Sequence, residues 1–198
     1  GDVGLRGTAG TGGPVVGYAG HLYPWKGPDV LIAALGLLPG VHALIVGGLA
    51  GEPDLERVRA LAGRVAPGRV TFAGQVDPPR VAGLLRQADV LALPNTPGRV
   101  SAAYTSPLKL FEYMASGRPT VASDLPALRE VLRPDENAVL VEAGSAAALA
   151  AGLSRVLGDA ALAARLAARA REDVREWTWD MRAGRIEALL EAVTGRRA

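Results

Sequence analysis

The 198-residue sequence predicts an α/β fold, a doubly wound, Rossmann-like parallel sheet of about six strands with helices on both faces, followed by C-terminal helices. Three observations lead there. Short apolar runs recur along the chain, "VVGYAG", "HALIVGG", "RVTFAG", "DVLALPN", "PTVAS" and "NAVLVEAG", and nearly all lack the polar alternation of a half-exposed strand. Strands covered on both faces have this character. Between them lie stretches with apolar residues at three and four spacing, and strand alternating with helix argues for a parallel sheet. The composition, 49% hydrophobic and 21% charged, is that of an ordinary globular chain long enough for one well-buried domain.

Taken in order, residues 1–14, "GDVGLRGTAGTGGP", hold six glycines and little that packs, and read as a flexible linker or a remnant of something removed. The domain proper covers 15–178. Its first strand leads into "GHLYPWKG", a glycine-bounded loop with a lone lysine, in which Tyr23 and Trp25 beside Pro24 read as packing residues rather than a stacking platform. Helix "GPDVLIAALGLL", the second strand, helix "DLERVRALAGRV", the third strand, helix "PPRVAGLLRQA" and the fourth strand follow. After the loop "NTPGRVSAAYTSP", Ser106 is a good N-cap and Pro107 suits a first helical position, which predicts a helix over 106–116. The fifth strand, the helix "PALREVL" and the sixth strand complete the sheet. The last fifty residues carry no strand signal. They predict alanine-rich helices and a final helix within 179–198, where Met181, Ile186, Leu189, Leu190 and Val193 form an apolar stripe that this domain or a partner must cover. Trp177 and Trp179 are expected to pack these terminal helices onto the sheet.

Other classes are excluded. Cysteine is absent, which removes disulfides and thiolate metal sites. No run of 18 apolar residues predicts a transmembrane segment. A formal charge of +2 without runs of like charge argues for no nucleic-acid partner. Neither GxGxxG nor GxxxxGK[ST] occurs, so the dinucleotide and P-loop fingerprints fail. The two histidines are far apart, and HExxH and Asp-x-Asp are missing, so the expectation for a metal is none.

In a doubly wound sheet, ligands bind beyond the carboxyl ends of the strands. The loops after the first and fourth strands both lie on that rim, which places Lys26 and the start of the 106–116 helix on one side of the molecule. A helix start offers free N–H groups and the positive end of its dipole to an anion. Lys109 and Glu112, three residues apart, share a face; spacing alone favours a surface ion pair worth well under ~1 kcal/mol over a binding pair. Taken singly, Lys26 reads as a solvated turn lysine. His21 reads as either a phosphate contact or a loop residue satisfied by backbone.

The pair "GYAGHLYPWKGPDVLIAAL" and "SPLKLFEYMASGRPTVASDLPALREVL", with "VTFAGQV" and "ADVLALPN" between them, resembles the C-terminal, donor-binding half of a family 4 (group 1) glycosyltransferase of the GT-B fold. The resemblance runs from about residue 14 to 194. It implies that Lys26 binds the diphosphate of a nucleotide-sugar, beside Gly20 and His21, where the family often has an arginine. Glu112 corresponds to the glutamate that holds the ribose hydroxyls, and Lys26 and Glu112 are the residues on which catalysis would rest. The earlier glutamate of that motif, which commonly touches the sugar, falls at Tyr104, so the sugar contact differs. Backbone at Ser106, Leu108 and Lys109 corresponds to the cradle for phosphate and sugar, and main chain near Gln75 and Val76 to the part that meets the base. The implied reaction is retaining and needs no metal or cofactor. The partners are a UDP-, GDP- or ADP-type nucleotide-sugar and an acceptor sugar or lipid held by an N-terminal domain absent here. The implied location is cytoplasmic, with any contact to a membrane made through that missing domain. The final helix would cross back to it. Two alternatives stand beside this reading: a non-catalytic nucleotide-sugar binding or interaction module, favoured by Tyr104, and another GT-B enzyme such as a nucleotide-sugar epimerase.

Overall fold

The computed structural model describes residues 12–98 and 108–195. Strands β1 Val15–Ala19, β2 His42–Val46, β3 Val70–Gly74, β4 Val90–Leu93, β5 Thr120–Ser123 and β6 Val139–Val141 form one parallel sheet in the order β3-β2-β1-β4-β5-β6. Every apolar run quoted above supplies one of them. The chain winds outward from β1 to β3 and returns to β4 on the other side of β1, so the strand order switches direction between β1 and β4. A crevice opens at such a point, beyond the strand ends.

The helices are α1 Pro28–Gly36, α2 Pro53–Val65, α3 Pro78–Leu85, α4 Leu108–Ser116, α5 Pro126–Arg129, α6 Ala146–Gly158, α7 Ala160–Asp173 and α8 Trp179–Thr194, with 3-10 turns at Pro24–Lys26 and Val174–Trp177. Proline stands at the start of α1, α2, α3 and α5, where its fixed φ suits the first turn and its missing N–H costs nothing. Ser145, Asp159 and Thr178 cap α6, α7 and α8 by accepting hydrogen bonds from the amides of Ala148, Leu162 and Met181.

Alternate residues of each inner strand feed opposite layers. Val16, Tyr18, Ala43 and Ile45 pack with Leu31, Leu35, Leu55, Leu149, Leu153 and Leu166 of α1, α2, α6 and α7. Val15, Ala19, Leu44 and Val46 pack with Val81, Leu85, Leu110, Tyr113, Met114 and Leu128 of α3, α4 and α5. Both faces of the strands are covered, which is why their sequences read as unbroken apolar runs.

The outcome differs from expectation in the C-terminal third. The helix at "PALREVL" lasts a single turn, after which Val131 and Leu132 turn into the core and Pro134 follows. Trp177, 41% exposed, packs its 3-10 turn on Phe111 of α4 at 5.6 Å and so reaches the sheet only through that helix, whereas Trp179 is 72% exposed and does not pack the terminal helix down. The reason is the course of α8, which buries none of its residues and leaves Met181, Ile186, Leu189, Leu190 and Val193 exposed. The expected helix start at Ser106 and Pro107, and Tyr104, lie outside the described residues.

A buried polar knot closes the second half. The Asn137 side chain is fully buried; its Oδ1 accepts from the Arg133 amide at 2.8 Å, and its Nδ2 donates to the Val131 carbonyl and to Asp173 of α7 at 3.2 and 2.8 Å. Arg133 and Arg169 pair with the same Asp173 carboxylate. Burial alone would raise the Asp173 carboxyl, but hydrogen bonds from Asn137 and Arg133 and the charges of Arg133 and Arg169 hold it below the usual carboxylate value. Asn137→Ala strands these partners and should cost about 1–3 kcal/mol, read as a lower urea midpoint. Because the folded pKa is depressed, the Asp173 contribution is present above the ordinary value of 3.8 and is lost as pH falls below it toward the folded value. Asp173→Asn should therefore shrink the acid-side loss of stability.

Candidate functional site

A cleft of about 350 Å³ opens at the carboxyl ends of β1, β2 and β3, lined among others by Gly20, His21, Gly47, Gly48, Glu52, Gln75, Val76 and Lys109. Close backbone approach builds it. The Gly20 amide donates to the Val46 carbonyl at 2.9 Å and the Gly47 amide to the Gly74 carbonyl at 2.8 Å, which laces three successive strand ends together. Gly47 has φ +132, and a Cβ there would lie 2.0 Å from the Gly20 carbonyl oxygen, so no other residue fits.

Two tyrosines hold this edge from within. Tyr113 of α4 is fully buried, and its hydroxyl oxygen accepts the Ala19 amide at 2.6 Å, one residue before Gly20. Burial pushes its pKa well above that of a free phenol, which keeps it neutral. Tyr18, raised likewise by burial, donates its hydroxyl to the His21 carbonyl at 2.6 Å. From α2, Arg57 donates to the Leu22 carbonyl at 2.7 Å and pairs with Asp29 and Asp54.

Lys26 ends the first 3-10 turn. The next residue, Gly27, has φ +74 and sits against the Pro94 carbonyl, and the Thr96 amide donates to the Trp25 carbonyl at 3.0 Å, so this turn rests on the end of β4 at the switch point. Lys26 is half-buried, and burial holds its ammonium below the usual lysine pKa. The Lys109 ammonium lies 2.9 and 3.2 Å from the Glu112 carboxylate oxygens, both side chains being partly exposed. The spacing-based ion pair is therefore present, and it stands at the cleft wall.

The fold thus brings Gly20, His21, Gln75, Val76 and Lys109 to one cleft, whereas Lys26 does not line it and stands farther along the same loop, at the end of β4. Leu108 and Glu112 instead line a second hollow of about 280 Å³, with Phe111, Trp177, Thr178, Trp179 and Arg182, and the Lys109–Glu112 pair joins the two. Ser106 lies outside the described residues. Sequence reading missed the β2–α2 loop, Gly47 to Glu52, although paired glycines directly after a buried strand are a signal of close backbone approach. Tyr113 gave no signal, because an aromatic at helical spacing reads as core. Among the described residues, no group of three His, Asp or Glu is placed to hold a metal ion, and no single helix is long and apolar enough to cross a membrane. Chemically, a rim carrying Lys26, His21, Lys109 and the amino end of α4 is suited to an anion.

Comparison with known proteins places the chain in a family. The family model "Glycosyl transferases group 1" matches residues 13–159. The phosphatidyl-myo-inositol mannosyltransferase of Mycobacterium leprae is 40% identical over 177 residues, which is 86% of this chain and 44% of that protein. Sucrose-phosphate synthase from Thermosynechococcus elongatus superposes with a TM-score of 0.79 at 32% identity, over 92% of this chain and 46% of the other. Anabaena HepE, solved in complex with UDP-glucose, gives 0.75 at 27% identity, over 91% and 49%. The chain spans about half the length of the relatives it matches.

Tyr113→Phe keeps the packing and deletes the hydroxyl, leaving the buried Ala19 amide without its acceptor. A loss of about 1–3 kcal/mol is expected, with faster amide exchange at Ala19 and Gly20 than at β5. Unchanged exchange at these positions would remove Tyr113 from its anchoring role.

Proposed function

The chain belongs to the group 1 glycosyl transferases, and from that premise we propose that it is the donor-binding half of a retaining, metal-independent enzyme that moves a sugar from a nucleoside diphosphate to an acceptor. One observation carries the reading: a cleft at the strand ends is lined by the start of a loop, Gly20 and His21, that runs on to a half-buried lysine at the β1–β4 switch point with no carboxylate partner among the described residues. The UDP-glucose bound by the Anabaena relative supports a nucleotide-sugar as the ligand.

In this reading the base lies against Gln75 and Val76, and the diphosphate runs past Gly20 and His21 to Lys26. Glu112 turns from Lys109 to the ribose hydroxyls. As the bond from the anomeric carbon to the diphosphate breaks, its electron pair goes to the departing phosphate oxygen, and positive charge develops on the sugar. Lys26, Lys109 and the amino end of α4 oppose the growing negative charge with groups already in place, the arrangement that lowers a barrier most. These same groups supply the charge compensation that a metal would otherwise provide.

Calorimetry with UDP, GDP and ADP, with and without EDTA, should show binding that does not depend on divalent metal. Lys26→Ala should weaken diphosphates most and flatten the salt dependence. Glu112→Ala should cost nucleotides about 1.5–3 kcal/mol while leaving inorganic pyrophosphate undiminished, because the change frees Lys109. Binding seen only with magnesium or manganese, or equal losses of both ligands in both variants, would sink these assignments.

Acceptor binding falls, in this proposal, to a second domain. Holding an acceptor in near-attack geometry supplies roughly 7–11 kcal/mol of the barrier, and the proposal assigns that task to the second domain. Residues 1–198 alone should hydrolyse a nucleotide-sugar slowly at best. Joining an acceptor domain should bring transfer, cover Met181, Ile186 and Leu190 of α8 and raise the melting temperature. Vigorous transfer by residues 1–198 alone would refute the division of labour; donor binding without transfer in the joined protein would favour a non-catalytic binding module.

A further inference from the structure

The loop between β1 and α1 carries a column of rings on its outer side. Leu22 turns inward at 1% exposure, whereas His21 and Tyr23 are exposed and Trp25 half-buried. His21 and Tyr23 stack with centroids 5.1 Å apart and planes within 2°, and Tyr23 and Trp25 stack at 6.1 Å and 21°. The Lys26 ammonium lies 4.2 Å from the centroid of the Trp25 ring. The backbone beneath is fixed from three elements, by Tyr18 on the His21 carbonyl, Arg57 on the Leu22 carbonyl and the Thr96 amide on the Trp25 carbonyl. Tyr23 and Trp25 are read from sequence as packing residues, and what they pack on is one another, His21 and the lysine.

Among the described residues, the Lys26 ammonium has no hydrogen bond and no counter-charge. A ring face occupies one side of it and leaves N–H donors pointing elsewhere, so cation–π contact and phosphate binding are compatible. We infer that Trp25 is a positioning residue for the diphosphate, its ring holding the Lys26 ammonium at the β1–β4 crevice while Tyr23 and His21 brace the ring. This rests on the reading of Lys26 as the diphosphate ligand. A lysine held this way has already lost much of the rotamer freedom that binding would otherwise cost.

The test is a double-mutant cycle on residues 1–198 with inorganic pyrophosphate, which is indifferent to the base, and uridine as a control without phosphate. Trp25→Leu should weaken pyrophosphate about two- to fivefold and leave uridine unchanged. Trp25→Phe keeps a smaller ring face, should lose less, and carries the test if the leucine variant misfolds. In a Lys26→Ala background neither change should have a further effect. An unchanged pyrophosphate affinity in Trp25→Leu, or the same loss with Lys26 absent, overturns the inference and leaves the Lys26 assignment standing. Wild-type pyrophosphate affinity in Lys26→Ala overturns both.

Discussion

The hydrogen bond from the Ala19 amide to the buried Tyr113 hydroxyl joins the end of the central strand to the helix that follows the fourth. Nearly everything at the rim depends on it. One residue beyond Ala19, Gly20 contacts Gly47 so closely that a methyl group would not fit between them, and the Gly47 amide in turn donates to the Gly74 carbonyl. Gln75 and Val76 follow directly. A phenol in the core thus sets where the ends of β1, β2 and β3 stand relative to α4, and the cleft is the space left between them. The device is stable because the hydroxyl is too deeply buried to ionise and the amide has no water to turn to.

Charge around the site is divided between groups that hold the frame and groups left for a ligand. Arg57 is spent on Asp29, Asp54 and the Leu22 carbonyl. At the end of β5, Arg129 grips Asp124 through two hydrogen bonds, which hold that carboxyl below its usual range. Lys109 is paired, but with a partly exposed glutamate in surroundings wet enough for the pair to open at little cost. Lys26 alone of these has an aromatic face in place of a carboxylate. A cation stabilised by a ring keeps its full attraction for a phosphate, whereas one stabilised by a carboxylate must first be released.

Strand identity was legible because a strand covered on both faces can carry no polar alternation, and the helices between them because their apolar residues recur at three and four spacing. The rim position of Lys26 followed from chain order, since the loops after strands one and four must meet at a switch point. The one-turn helix at Pro126 was not legible, because a short apolar amphipathic segment fits a longer helix equally well until Val131 and Leu132 find the core. Nor were the roles of Trp177 and Trp179, whose surroundings depend on the direction taken by α8.

By itself, then, the sequence determined the period of each segment, hence the doubly wound sheet, and the pair of motifs that marks the group 1 family. Both are local properties: they need only neighbours along the chain. Tertiary structure decided that Gln75, Gly47 and Lys109 share a wall, that Glu112 faces a second hollow, that Tyr113 reaches Ala19 and that three rings stack beneath a lysine. These are distances between residues far apart in the chain or side chains whose rotamers answer to them. No period encodes them, because packing fixes them only after the sheet has formed.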